Sequence, residues 1–379
     1  MITFREVSPN NFILLKDSLL TFYKHDSYLT KLGKTRGVEF KRKEEQRGTN
    51  EKFWLINDEF NNKLIFKGTA RKGSKAKENG YIYGELITDL LCNKIGLDNT
   101  SYYPCMVIFE DGTSVRGTIS PSYRKGKLNN EYSAQNITTR YVKSQYDNNY
   151  GEVPYIEFNT VDEYIKQLKY LYKNRLSEAK FKEFEQYLLQ IALFDYVTCQ
   201  TDRHWGNIGW ITNAEVGIQT MKPIPIYDNE SCFLMNKPFD QIETLADRIS
   251  RSRDWRNGII VPMVNGIDRV PRLGISSATT ICNDGIRLLK KPNIPGQKTH
   301  LEVFREELAE KIINNKELEK LYRKIKNINL EQLLTDCDYF PESVITVASK
   351  IWQIRIEQLE KVLQNKKESS FESDNERSV

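Results

Sequence analysis

The feature that most constrains how this chain can fold is a change of hydrophobic period at Pro121. Before it, apolar residues come in short runs. Phe53-Trp54-Leu55-Ile56, a polar turn over Asp58 to Asn62, and Lys63-Leu64-Ile65-Phe66-Lys67 predict a hairpin. Tyr103 to Phe109 and Ser114 to Ile119, joined through Glu110-Asp111-Gly112-Thr113, predict a second, because an Asp-Gly pair favours tight turns. Between the hairpins, Leu86, Ile87, Leu90, Leu91 and Ile95 share one helical stripe, which predicts a helix from Tyr81 to Ile95 with Gly96 as its stop. After Pro121 the period becomes helical, at about Val161 to Asn174, Glu178 to Cys199, His300 to Asn315 and Pro341 to Leu363. Strands gathered first and helices afterwards predict an α+β architecture rather than a doubly wound parallel sheet.

The same change of character divides the chain. Residues 1–36 read as a helical extension, because Phe12-Ile13-Leu14-Leu15 with Leu19, Leu20 and Phe22 fits one amphipathic helix. Residues 37–120 read as a small β-rich lobe and 121–363 as a larger α-helical one. Residues 364–379, polar and without apolar periodicity from Gln364, are expected to be disordered.

Composition excludes classes rather than naming one. A chain of 379 residues with 39% hydrophobic and 28% charged residues is globular, neither fibrous nor disordered as a whole. A net charge of +5 gives a weak pull toward anions in general, ATP, an acidic protein or RNA, and names no partner by itself; direct contact with a nucleic acid is not expected. The six cysteines are scattered, with no C-x-x-C pair to hold structural zinc. No signal-peptide pattern opens the chain, and no apolar run approaches the roughly 20 residues a bilayer requires, so a cytoplasmic location without membrane contact is expected.

The chemistry concentrates in Thr201-Asp202-Arg203-His204-Trp205-Gly206-Asn207-Ile208-Gly209. Phosphoryl transfer needs divalent ions on the phosphates, a cation on the non-transferred phosphates and a group to orient the attacking hydroxyl. Asp202 precedes Asn207 by five positions, the separation of the catalytic Asp and the metal-binding Asn in kinase loops. Taken alone the pair is also ordinary turn chemistry. Its context is not: the run follows the apolar stretch Leu188 to Val197 and precedes Ile224-Pro225-Ile226-Tyr227, which ends in Asp228. Ile208 to Ile211 and Ile224 to Tyr227 predict a hairpin that carries Asn207 and Asp228 to one end, where two oxygen ligands suit Mg²⁺. In this reading Asp202 is the catalytic base, Arg203 pairs with a carboxylate or phosphate, His204 is structural and Trp205 packs.

Upstream, Lys67 closes a strand and Glu85 lies near the start of the following helix, the order of the ion pair that steadies a phosphate-contacting lysine. A phosphate-covering loop before that strand is sought at Gln46 to Lys52, where the backbone around Gly48 and Thr49 would meet ATP.

These residues, with Gly84-Glu85, Gly117-Thr118-Ile119-Ser120 and Pro225-Ile226-Tyr227-Asp228-Asn229, resemble the HipA-like serine/threonine kinases over roughly residues 45–360. The D-R-H-x-x-N run is shared more distantly with phosphatidylinositol kinases. The resemblance implies a bilobal protein-kinase-like fold, ATP with Mg²⁺ as cofactors, Asp202 as base, Asn207 and Asp228 as metal ligands, and Lys67 on the nucleotide phosphates. It further implies a protein substrate such as a translation component, an antitoxin-type partner, and self-phosphorylation at a residue such as Thr49. A small-molecule or lipid kinase and a pseudokinase binding module are the competing expectations.

Overall fold

The computed structural model describes residues 13–16, 20–21, 39–44, 50–57, 62–71, 80–108, 114–123, 128–145, 161–200, 202–203, 205–251, 300–337 and 339–376. They fall into two units: residues 1–123 with 229–247 and 329–347, and residues 124–228 with 248–328 and 348–379.

The first unit is built on β1 (Ile13–Lys16), β2 (Leu20–Thr21), β3 (Glu39–Glu44), β4 (Asn50–Asn57), β5 (Asn62–Arg71), β6 (Tyr103–Ile108) and β7 (Ser114–Pro121). They form one seven-stranded sheet in the order β1-β6-β7-β5-β4-β3-β2. Both expected hairpins are present: β4 pairs antiparallel with β5, placing Phe53 opposite Phe66, and β6 pairs antiparallel with β7. β5 also pairs with β7, and this register sets Lys67 directly opposite Thr118.

Helix α1 spans Tyr81–Ile95, the predicted bounds. It stops because Gly96 turns left-handed at φ 79° and donates its N–H to the Cys92 carbonyl, a conformation glycine adopts without steric cost. Ile82, Leu86, Ile87, Leu91 and Ile95 are buried, each contributing about 1.5–3 kcal/mol of transfer free energy, and the helix packs on β5, β6 and β7.

The second unit holds β8 (Leu128–Ser133), β9 (Gly209–Asn213) and β10 (Gly217–Pro223), ordered β10-β9-β8, and the helices α2 (Ala134–Gln145), α3 (Val161–Tyr172) and α4 (Glu178–Thr198). Further along the chain come α5 (Phe239–Arg251), α6 (His300–Asn314), α7 (Lys316–Lys326), α8 (Leu330–Thr335) and α9 (Glu342–Glu376). The C-terminal half of α4 is apolar on every side, and Leu188, Leu189, Ile191, Leu193, Phe194 and Val197 are all buried, as such a pattern requires. Ser177 caps its start by accepting from the Lys180 N–H. Trp210 on β9 is fully buried, packs against Phe184, and donates its indole N–H to the Tyr164 hydroxyl at 2.8 Å.

Three expectations are corrected. The stretch around Phe12 to Phe22 contains strands, not one helix: Ile13–Lys16 pairs parallel with β6, and Leu20–Thr21 pairs with β3. Short apolar runs carry no period long enough to separate helix from strand, and here sheet edges claimed them. The tail from Gln364 continues α9 to Glu376. Its Lys and Glu residues are good helix formers, and extending a helix already nucleated adds a hydrogen bond for each residue fixed. The partner of β9 is Gly217–Pro223 rather than Ile224 to Tyr227, with Pro223 opposite Trp210. Proline ends that ladder because it has no N–H to donate, and Ile224 makes one last bond, to the Gly209 carbonyl at 3.0 Å. Strand β8 and helix α2 had no clear sequence signal. Among the described residues no helix is long and apolar enough to cross a membrane.

Candidate functional site

In the first unit the strand register and α1 bring Lys67 and Glu85 together. The Lys67 ammonium donates to Glu85 Oε1 at 2.6 Å, and the Thr118 hydroxyl, opposite Lys67 on β7, donates to Glu85 Oε2 at 2.6 Å. Each carboxylate oxygen thus has its own donor, which matters because Glu85 is only 1% exposed and an unpaired buried charge is costly. Thr118 stood in the motif without an assigned role. A Thr facing Lys across two neighbouring strands, with the Glu on the covering helix, is recognisable only once the register is known.

Glu230 approaches the same ammonium at 3.8 Å. Its backbone is seated against α1 at Gly84, where a Cβ would lie 2.7 Å from the Glu230 carbonyl oxygen and 2.9 Å from that of Asn229. Gly84→Ala is therefore expected to destabilise the chain by about 1–3 kcal/mol, since backbone cannot yield as a flexible side chain does. A thermal unfolding comparison checks this, and an unchanged midpoint would show that the seat tolerates a methyl group.

In the second unit α4 delivers the chain to Asp202 through a tight reversal. Cys199 is left-handed at φ 52°, its N–H donates to the Tyr196 carbonyl at 3.3 Å, and the Gln200 N–H donates to the Asp195 carbonyl at 3.0 Å. This pairing closes the helix end in the manner usual for glycine, but with a cysteine. The helix has no basic residue in its own last turn, and Arg355 of α9 supplies one, donating to the Cys199 sulfur at 3.3 Å with its guanidinium over the Tyr196 ring at 5.2 Å.

The segments carrying Asp202, Asn207 and Asp228 are tied together. Gln200 Nε2 donates to the Asp228 carbonyl at 3.1 Å, while its Oε1 accepts from the Asp202 N–H at 3.0 Å. Arg203 donates to the Tyr227 carbonyl at 2.6 Å, and the Tyr227 hydroxyl donates to the Gly206 carbonyl at 2.8 Å. Asp228 itself is left-handed at φ 58°, a conformation that costs a non-glycine residue about 1 kcal/mol or more and persists where its surroundings fix it. Asn207 points its Nδ2 at the Asp202 carbonyl at 3.5 Å, which leaves Oδ1 as the atom offered to a cation. The Asp202 side chain is exposed, as a group meeting a substrate hydroxyl must be.

Arg203 pairs with a carboxylate, as expected: Nε and Nη2 both donate to Asp195, at 3.0 and 3.1 Å, and both side chains are buried. Burial pushes the Asp195 carboxyl above the ordinary carboxylate range, and the Arg203 charge and its hydrogen bond pull it part of the way back. Asp195 carried a sequence signal, a lone acid in the run Leu188 to Val197. Gln200 carried none. Trp205 packs as expected, stacked on Tyr164 with ring centroids 4.8 Å apart. Gly48, Thr49 and His204 lie outside the described residues.

The donors fit the group that the motif implies. Asn207 and Asp228 offer hard oxygens of the kind Mg²⁺ takes, and Lys67 offers a held cation for phosphate.

No protein-family profile and no curated protein matches the chain, so the HipA-like resemblance rests on the motif residues alone. Solved structures do match. CtkA, a proinflammatory kinase of Helicobacter pylori, superposes with a TM-score of 0.53 at 10% identity, over 86% of this chain and 95% of that one. A protein of Ralstonia eutropha JMP134, provisionally assigned as an aminoglycoside phosphotransferase, covers 86% of this chain and 93% of its own at 11% identity. Its TM-score of 0.23 is too low to bear on the fold. The first likeness shows that this chain has an α+β, protein-kinase-like fold.

Proposed function

We propose that this chain is an ATP-dependent phosphotransferase that moves the γ-phosphoryl group of ATP to a serine or threonine hydroxyl of a protein. The observation that carries the reading is the set of hydrogen bonds from Gln200, Arg203 and Tyr227 that holds Asp228 to the Asp202 loop. A surface turn has no use for a buried amide and a buried guanidinium spent on joining two acidic segments. Support also comes from the fold likeness to a kinase and, for a protein acceptor, from the match of Thr201 to Gly209 to HipA-like kinases.

In this reading Lys67, steadied by Glu85, holds the non-transferred phosphates, and Asn207 and Asp228 hold Mg²⁺. Asp202 accepts the proton of the attacking hydroxyl as the bond to phosphorus forms and the bond to the ADP oxygen breaks. Mg²⁺, when bound, supplies charge neutralisation on the phosphate oxygens.

The test is incubation of the chain with γ-labelled ATP and Mg²⁺, in one arm with a dephosphorylated cell lysate that includes translation components, in another with a panel of hydroxylated metabolites. Label is expected in the protein fraction and is expected to vanish on chelation of the metal. Label confined to metabolites would overturn the protein acceptor. Absence of label in both arms would overturn phosphoryl transfer itself.

A further inference from the structure

Gln200 is 0% exposed, and both polar atoms of its side chain bond to the backbone of other segments. Its backbone N–H closes α4 on the Asp195 carbonyl, its Oε1 accepts from the Asp202 N–H, and its Nε2 donates to the Asp228 carbonyl. The three bonds use three different segments: the end of α4, the Asp202 loop and the stretch after β10 that carries Asp228.

Resting on the reading above, we infer that Gln200 is a positioning residue that sets the distance between the base Asp202 and the metal-holding Asp228. The amide is planar and rigid, so a donor and an acceptor on one such group fix two backbone points relative to each other. Only a side chain with both functions can do this. A carboxylate would set an oxygen against the Asp228 carbonyl, and a lysine would leave the Asp202 N–H without its acceptor. Arg203 does not span the same two points, since Nε and Nη2 donate to Asp195 and Nη1 donates to the Tyr227 carbonyl, one residue short of Asp228. Gln200 touches no reacting atom. It acts through Asp202, whose oxygen must come within about 2.6–3.2 Å of the proton it removes, and through Asp228, whose carboxylate must face the metal.

The inference separates positioning from mere packing. Gln200→Met keeps the length and burial and removes both bonds; Gln200→Asn keeps the amide but is one methylene short of spanning both partners. Each folded variant is expected to lose about 10–100-fold in kcat, the scale on which an ångström of misplacement acts, with a smaller change in the KM for the acceptor. The Mg²⁺ concentration for half-maximal rate should also rise several-fold, because Asp228 is no longer held. A packing role would lower the melting temperature but leave kcat and the Mg²⁺ requirement of the folded molecules unchanged.

The assay uses labelled ATP, the wild-type chain and both variants, with the folded fraction measured by thermal unfolding. Wild-type kcat and Mg²⁺ requirement in either folded variant would overturn the inference. So would failure of both variants to fold, which would assign Gln200 to the core alone. Wild-type inactivity is a separate result and overturns the phosphotransferase reading on which the inference stands.

Discussion

Asp202→Asn is expected to lower kcat for phosphoryl transfer by about 10²–10⁴-fold, the range that a positioned general base contributes. The substitution is conservative in shape and leaves the backbone as it is. Asn has the shape of Asp, the side chain is exposed, and the hydrogen bond that Gln200 accepts comes from the backbone, which the variant keeps. Stability should therefore shift by no more than about 0.5 kcal/mol, as for surface changes generally. What disappears is a carboxylate able to accept the hydroxyl proton. Single-turnover transfer of label checks the rate and thermal unfolding checks the fold. A stable variant with wild-type kcat would remove Asp202 from the chemistry and leave the five-residue spacing to Asn207 as turn geometry.

The largest expected effect on stability belongs to Asp195→Ala, about 3–5 kcal/mol, the cost of removing one partner of a buried ion pair. Arg203 is 1% exposed and places two of its nitrogens on Asp195. Without the carboxylate its charge is left in a dry interior, where the Tyr227 carbonyl accepts from Nη1 but carries no compensating charge. Replacing both members, Asp195→Ala with Arg203→Met, should recover part of the loss, because the second change removes the stranded charge. Denaturant unfolding of the single and double variants checks both statements, and a single-variant loss below about 1 kcal/mol would show that water reaches the pair. The pair also sets a pH trend. Since the folded carboxyl binds its proton more tightly than the unfolded one, whose ordinary value is 3.8, its contribution is fully present below that value and declines as pH rises through the raised one. Asp195→Asn should remove that decline.

The sequence disclosed those parts of the molecule whose signals are local. Helix α1 was legible to the residue because its stripe and its glycine stop are contiguous in the chain. The hairpin of β4 and β5 was legible because its turn is polar and short. Lys67 and Glu85 could be paired from their order, but Thr118, which completes the carboxylate's contacts, depends on a register between β5 and β7 that two strands so far apart in the chain do not announce. The partner of β9 was misplaced by a few residues because Ile224 to Ile226 is as apolar as a strand, and only the missing proline donor ends the ladder early. Gln200 was invisible for a different reason: a glutamine's value as a two-sided clamp exists only when two backbone segments stand on either side of it.

The seat at Gly84 has a mechanical consequence. Because α1 lies against the backbone of Asn229 and Glu230 within the reach of one missing methyl group, while the next residue along α1 holds Lys67, the helix cannot slide along its axis and keep both contacts. A shift of α1 along its axis would therefore disturb the ion pair and the 229–230 seat together, which couples the position of Glu85 to that of the neighbouring backbone.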